Sequence, residues 1–428
     1  MNKDTYRILA QGHLRCNNTR RTGLNNNDLI IGPSGAGKTR SYVKPNLLQS
    51  EESLIIADTK GSLFQETAAV LRRRGFRVWN LDFTDMASEG PENCGYNPLA
   101  YVRYDPVRQT YSEQDILSIC ATLVPVEDAT QPFWEYLARM YMEVLVGYVL
   151  ECLPPEEHNL EMVTELFGEM PSGNFERLLE ELGLENPRSF AYRKFRMISG
   201  IKQAEKMHES VRGILSEKLD PFTFEGPFRL FKRPSQLHFP SLGREKTAVF
   251  LTISDTDRSA DRLAALFYLQ ALQSLCASAG KDYPNHRLPV PVRLILDDFA
   301  TNACIPDFDN IISVIRSREI SVSVILQSIS QLEALYGHQK ALTILNNCDN
   351  CLYLGGQDVE TARYISVKAN RTADSILNLP LNEAYLFTRG APPQKVRKFD
   401  LTTHKDYAFL PEAQKENTAP QWDQPLAF

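Results

Sequence analysis

The chain has 428 residues, of which 43% are hydrophobic and 23% charged. That is enough apolar material for a sizeable core and excludes wholesale disorder; at ~150 residues per domain it suggests two or three domains. The 47 Lys and Arg against 53 Asp and Glu leave a net charge of −6, which excludes a simple basic nucleic-acid coat, so any DNA contact must come from a local patch or from backbone amides.

In chain order, Met1 to Arg21 is polar, with no long apolar run, and reads as neither a signal peptide nor a membrane span. Asp28 to Ile31 is a short apolar run leading into a glycine-rich loop. Ser53 to Ala57, ending at Asp58, and Arg77 to Phe83 are two more runs, with a connecting helix expected over Phe64 to Arg74. Strands alternating with helices predict βαβ units and a mainly parallel sheet. From Ser112 to Leu219 the pattern turns helical, through Ile116–Leu123, Phe133–Leu153, Leu160–Phe167, Phe175–Leu182 and Phe195–Leu219. Strand signals return at Thr247–Ile253, Val292–Leu296, Ser321–Leu326 and Cys351–Leu354, with helical Ser259–Ala279 between the first two. The expected organisation is a discontinuous nucleotide-binding α/β domain over 1–110 and 220–403, an all-α insertion over 111–219 and a mobile tail over 404–428. The most apolar helical stretch, Tyr141–Leu153, holds Glu143 and Glu151 and is too short to cross a bilayer.

Gly32-Pro33-Ser34-Gly35-Ala36-Gly37-Lys38-Thr39 fits G-x-x-x-x-G-K-[ST] between a predicted strand and a predicted helix, the context that gives this motif its meaning. Its glycines let backbone N–H groups turn in around phosphates; Lys38 would neutralise the β- and γ-phosphates, the Thr39 hydroxyl would hold Mg²⁺, and Arg40 follows directly. Arg293-Leu294-Ile295-Leu296-Asp297-Asp298 is an apolar run ending in two acids, at the strand end where open parallel sheets bind ligands. Asp297 is the expected Mg²⁺ ligand and Asp298 the group that orients or polarises the attacking water. Gln327 ends its strand as a candidate γ-phosphate sensor. Arg316 and Arg318 precede that strand and read either as a surface pair or as a charge that reaches a neighbouring subunit's nucleotide. Asp58-Thr59-Lys60-Gly61 is either a second polar motif, through Asp58 and Lys60, or a turn.

Other features are weaker. Cys348 and Cys351 have the spacing of half a metal site but no second ligand pair, so buried cysteines are the expectation. The eight cysteines are scattered, which argues against a disulfide scaffold and fits a reducing cytosol. Arg72, Arg73, Arg74 and Arg77 form one basic cluster. Arg188, Arg193, Lys194, Arg196, Lys202 and Lys206 form another, interleaved with Tyr192 and Phe195. The second reads as a DNA phosphate contact or as a solvated helix face that balances the acidic stretch Glu156 to Glu185.

The wide separation of Lys38 and Asp297 around a helical insertion resembles the FtsK/HerA-type motor ATPases. The whole set of ordered motifs is more similar to the TraG/TraD-like coupling proteins of type IV secretion and conjugation. These motifs are Gly32 to Thr39, Asp58 to Gly61, Asn97-Pro98-Leu99, Pro132-Phe133-Trp134-Glu135, Asp297-Asp298-Phe299-Ala300, Ile305-Pro306-Asp307-Phe308, Arg316-Ser317-Arg318-Glu319, Leu326-Gln327-Ser328 and Asn347-Cys348-Asp349. The resemblance covers roughly residues 15 to 400. It implies a RecA-like P-loop NTPase that hydrolyses ATP with Mg²⁺ as a hexameric ring at the inner face of the bacterial membrane. It would recruit a relaxase bound to single-stranded DNA and pass it to the channel components of a type IV secretion system. By position, Arg316 is similar to the family's arginine finger, Gln327 to its sensor, and the helical insertion to its substrate-engaging domain. Two departures stand out. The family usually has Asp-Glu where this chain has Asp297-Asp298, and it usually carries N-terminal membrane helices; with the loop beginning at Gly32, those helices are expected to be absent here, either removed or never encoded. Two other readings stay open: an FtsK-like translocase of duplex DNA, and a docking platform that binds ATP but barely hydrolyses it.

Overall fold

The computed structural model describes residues 4–128, 130–200, 205–299 and 303–418. Its centre is a nine-stranded sheet. In chain order the thirteen strands are β1 (Tyr6–Ala10), β2 (His13–Cys16), β3 (Asp28–Ile31), β4 (Ser53–Asp58), β5 (Arg77–Asp82), β6 (Tyr104–Asp105), β7 (Thr110–Tyr111), β8 (Thr247–Thr252), β9 (Val292–Leu296), β10 (Ile320–Leu326), β11 (Asn350–Tyr353), β12 (Glu383–Thr388) and β13 (Gln394–Arg397). The large sheet runs β13-β12-β11-β3-β10-β9-β4-β8-β5, while β1 with β2 and β6 with β7 form separate hairpins. From β11 to β5 all pairings are parallel; β12 and β13 close one side antiparallel. The five central strands β3, β10, β9, β4 and β8 are buried along their whole length. Burial on both faces is why they are rich in apolar residues, with only a few polar positions such as Ser321, Ser323 and Arg293 inside them. The fold is RecA-like α/β with a mostly parallel sheet; the alternation of strands and helices implied the parallel sheet and the family resemblance the RecA-like fold.

Register decides what this sheet can do. Leu326 lies opposite Ile31 and Val324 opposite Leu296, and Ile295 lies opposite Ile56. The C-terminal ends of β3, β10, β9 and β4 therefore reach one edge together, and with them Gly32, Gln327, Asp297 and Asp58.

Between β7 and β8 the chain is helical: Glu113–Leu123, Pro132–Cys152, Leu160–Glu169, Asn174–Glu185, Phe190–Ser199, Glu205–Leu219 and Glu225–Lys232. The long helix Pro132–Cys152 is the hub, burying Leu137, Met142, Leu145, Val146 and Val149. It packs against Phe190–Ser199 and Glu205–Leu219. Glu151 anchors the first of these by accepting from Ser189 Oγ (2.6 Å) and the Phe190 and Ala191 N–H groups (2.9 and 3.1 Å), satisfying donors that the start of a helix leaves open. Sequence periodicity ran Phe195 to Leu219 together; the structure ends one helix at Ser199, and the described part of the next spans Glu205–Leu219. Among the described residues one helix, Asp261–Asp282, is long and apolar enough to cross a membrane, and it is mostly buried inside the fold.

The chain beyond His404, expected to be a loose tail, packs as far as Ala413. Leu401 and Leu410 bury with Leu48 and Val70, Arg74 pairs with Asp406 at 3.3 Å, and Arg73 lies over the Phe409 ring. Apolar residues spaced among the prolines drive this docking, which polarity alone concealed. Residues 419–428, the remainder of that expectation, lie outside the described residues.

Candidate functional site

β3 feeds straight into the loop Gly32–Lys38. The Gly32 N–H donates to Leu326 O at 3.0 Å, so the loop starts stitched to β10. A side chain at Gly32 would meet Ala36 Cβ at 2.9 Å and Leu354 Cβ at 3.0 Å; only glycine lets the loop fold this closely on itself. At Gly37 the backbone is left-handed, φ +86°. The chain then turns into Thr39–Val43, a wide π-type turn, and the helix Lys44–Gln49.

The Lys38 ammonium is buried and donates to Gly32 O (2.8 Å) and Pro33 O (3.2 Å). It lies 3.5 Å from Asp298 Oδ1. Thr39 Oγ1 donates to Asp297 Oδ2 at 2.9 Å. Gln327 Nε2 lies 3.5 Å from the same Asp298 oxygen that faces Lys38. Five residues expected from the sequence to act together (Lys38, Thr39, Asp297, Asp298 and Gln327) thus converge on one spot. Burial, and next the Asp298 charge, push the Asp297 carboxyl up to about 6; a cation held between it and Thr39 would relieve that cost. Asp298 takes a left-handed backbone, φ +48°, which Asp tolerates better than most residues. The next residue of this motif to be described is Phe299; Ala300 lies outside the described residues.

Other expected site residues stand apart. Arg40 points away from the loop and pairs with Glu412 (2.5 Å); Lys44 pairs with Glu66 (2.7 Å) and Glu412 (3.2 Å). Asp58 reaches the same sheet edge, but its carboxylate accepts from the N–H groups of Phe64 (2.9 Å) and Lys60 (3.4 Å). It ties down the start of the helix Ser62–Arg73, and the Lys60 side chain is exposed. Burial raises the Asp58 carboxyl. Of the two readings of this motif, the geometry favours the turn. Arg316, in the turn Ile315–Arg318 before β10, donates to Thr19 O (3.4 Å) and Gly23 O (3.0 Å), at the sheet edge opposite the loop.

Part of each basic cluster is engaged in ion pairs, while Arg73, Arg188 and Arg196 are exposed. Arg72 pairs with Glu92, Arg74 with Glu51 (2.6 Å), Arg193 with Glu113 (2.5 Å) and Lys194 with Glu143 (2.6 Å). Arg77 lies over Trp79, and Phe195 is buried. Lys202 and the Lys206 side chain lie outside the described residues. Cys348 and Cys351 are buried free thiols, and the other six cysteines are also unpaired; no cluster suited to a metal occurs among the described residues.

Two features escaped sequence reasoning. Lys398, just past β13, donates to Ala36 O inside the loop at 2.9 Å. Beneath the loop, Arg7 holds Asp28 (2.6 and 3.0 Å), Tyr42 OH donates to Asp28 (2.7 Å), and Arg293 reaches Glu52 (2.7 Å) and Asp28 (3.6 Å). The available signal was a charge inside each apolar run, Asp28 at the head of β3 and Arg293 within β9. Burial pushes the Asp28 carboxyl up, but Arg7 and Arg293 outweigh it and hold it below the usual range.

A glycine loop between strand and helix, with its threonine on the acid of a parallel strand two places away, is the phosphate-loop arrangement of the RecA-like P-loop NTPase fold. The family model for type IV secretory system conjugative DNA transfer matches residues 3–373. The chain belongs to that family, as a coupling protein of the TraG/VirD4 type. It is 25% identical over 382 residues to protein VirD4 of Rhizobium radiobacter, covering 87% of this chain and 53% of that protein. Against VirD4 of Agrobacterium fabrum (strain C58) it is 25% identical over 389 residues, covering 87% and 55%. The chain thus spans about half the length of the curated relatives it matches. Among solved structures it is similar to the plasmid coupling protein TrwB in complex with ADP and Mg²⁺ (TM-score 0.65, 17% identity, 89% of this chain and 86% of that one). It also resembles TrwB in complex with a non-hydrolysable ATP analogue (TM-score 0.62, 19% identity, 89% and 86%) and VirB4 of Thermoanaerobacter pseudethanolicus (TM-score 0.52, 16% identity, 94% and 97%). At these identities the likenesses establish the fold.

Proposed function

We propose that this coupling protein is an ATPase that recruits a relaxase bound to single-stranded DNA and delivers it to the channel of a type IV secretion system, working as a hexamer at the inner face of the bacterial membrane. The observation that carries the ATPase reading is the Thr39–Asp297 contact of 2.9 Å beside a buried Lys38. Amides of Gly32–Thr39 would cradle the phosphates and Lys38 would neutralise them. Thr39 and Asp297 have the hard oxygen donors that Mg²⁺ takes, and bound Mg²⁺ would draw charge from the phosphate oxygens. Asp298 would accept the proton of a water that attacks the γ-phosphorus as the bond to the ADP oxygen breaks; Gln327 would orient that water. Because Lys38 and Gln327 each lie 3.5 Å from the same Asp298 oxygen, this arrangement favours turnover over a docking platform that only binds ATP. Residues 1–110 with 220–403 would form the motor and 111–219 the substrate-engaging insertion.

The test is ATP turnover with and without single-stranded DNA, with duplex DNA and Lys38→Ala as controls. Mg²⁺-dependent turnover, stimulated by single strands and absent in Lys38→Ala, is the expected result. Turnover no greater than that of Lys38→Ala would remove the ATPase reading, and stimulation by duplex alone would favour an FtsK-like translocase.

A further inference from the structure

Lys398 has no part in the machinery above. It leaves β13 directly after Arg397, which pairs with Glu383 at the sheet edge that carries the glycine loop. Its own backbone is fixed there, the Lys398 N–H donating to Asn382 O at 3.0 Å. The side chain is half-buried, and its ammonium donates to Ala36 O at 2.9 Å. Among the described residues no carboxylate pairs with it. Half-burying a cation on a neutral carbonyl is unfavourable by itself; desolvation lowers its pKa. That cost calls for a return elsewhere.

The return lies in the peptide that Lys398 grips. Ala36 O belongs to the Ala36–Gly37 peptide, and no cis peptide bond occurs among the described residues. In a trans peptide the C=O and N–H point in opposite directions. Holding the carbonyl out toward Lys398 therefore aims the Gly37 N–H in the other direction, away from β13. That N–H has no acceptor among the described residues. The peptide is otherwise easy to turn over, because Gly37 at φ +86° accepts conformations of either hand. A flipped peptide would present a carbonyl dipole to a phosphate in place of a donor.

We propose that Lys398 is a positioning residue for the glycine loop: by holding Ala36 O outward it keeps the Gly37 N–H aimed at the phosphate chain of a bound nucleoside di- or triphosphate. This rests on reading Gly32–Thr39 as the nucleotide loop. Lys398→Met keeps the length and apolar stem but has no donor; Lys398→Arg restores a cationic donor. Calorimetric titration of the intact chain with ADP and Mg²⁺ should show about tenfold weaker binding for Lys398→Met, the worth of one charge-assisted hydrogen bond, and recovery to within about threefold for Lys398→Arg. The melting temperature without nucleotide should match wild type in both. Should Lys398→Met melt lower, Lys398→Gln makes the same comparison, and failure of both to fold would make Lys398 structural and overturn the proposal. Wild-type ADP affinity in a folded Met or Gln variant, alongside lost binding in Lys38→Ala, overturns the role of Lys398 alone. Wild-type affinity in Lys38→Ala overturns the loop reading beneath it.

Discussion

Thr39 and Asp297 are 258 positions apart, yet the threonine hydroxyl donates to the aspartate carboxylate at 2.9 Å. The contact exists because β10 lies between β3 and β9, in parallel register with both. Every functional consequence below depends on that alignment of strand ends.

The raised pKa of Asp297 makes stability and cation binding depend on pH in opposite ways. Its carboxyl moves from 3.8 to about 6, chiefly through burial and next through Asp298. Between those values the folded chain holds more proton than the unfolded one, so stability falls as pH rises through about 4 to 6, by no more than ~3 kcal/mol. Mg²⁺ needs the ionised carboxylate, so Mg²⁺-dependent nucleotide affinity should rise across the same window. Thermal melts in EDTA from pH 4.5 to 8 should show the decline, and Asp297→Asn should remove it, melting higher than wild type at pH 8 while losing the Mg²⁺ dependence of ADP binding. A pH-independent difference between the two chains would assign the shift to another group.

Asp298 can be separated from binding. Asp298→Asn keeps the shape and the left-handed backbone that Asp and Asn both tolerate, but cannot take a proton from water. Turnover should fall by roughly 10²–10⁴, with ATP affinity within about threefold of wild type. An equal loss in affinity would make Asp298 a phosphate-site organiser through Lys38 rather than a base.

The buried cluster under the loop predicts a stability effect. Asp28 faces both Arg7 and Arg293, so Asp28→Asn leaves two buried guanidinium groups short of charge. The expected cost is about 3–5 kcal/mol, read as a lower denaturant midpoint. In wild type this contribution is present above the ordinary aspartate range and is lost as pH falls below it, because the folded carboxyl is held down.

The centre of the fold was legible because its strands are buried on both faces. Asp28–Ile31 and Val292–Leu296 are short, mostly apolar runs, each carrying one charge, whose bounds the structure reproduces. The glycine loop and the position of Asp297 were legible for the same reason, since the loop follows one run and the acids end another. The edges were not. Gln394–Arg397 is a short edge strand with only Val396 buried, so periodicity gave no signal, and Lys398 beyond it stayed hidden. Tyr6–Ala10 was masked by the polar residues around it, although Ile8, Leu9 and Ala10 are all buried. Long-range polar pairs such as Arg40 with Glu412 leave no local pattern at all.

The last prediction is that turnover requires assembly, through Arg316. β10 has seven residues and therefore spans ~20 Å at ~3.3 Å per residue. Its far end, Leu326, lies beside Ile31 at the loop edge, whereas Arg316 precedes its near end. An arginine side chain cannot cover that distance, so Arg316 cannot touch the phosphate of its own subunit. It is exposed, its guanidinium donates to the carbonyls of Thr19 and Gly23, and a neighbour in a ring could present its nucleotide there. Fingers supplied in trans raise turnover by ~10³–10⁵ in other P-loop systems, so an isolated chain should be nearly idle and wild-type turnover per chain should rise with protein concentration. Light scattering should find the chain largely monomeric at low concentration. Arg316→Ala should bind ATP normally but stay idle under assembling conditions. Mixed with Lys38→Ala it should recover activity, since one subunit keeps the loop and the other the finger. Turnover per chain that is independent of concentration, or full activity in Arg316→Ala, would leave Arg316 as a surface residue that secures the Thr19–Gly23 turn.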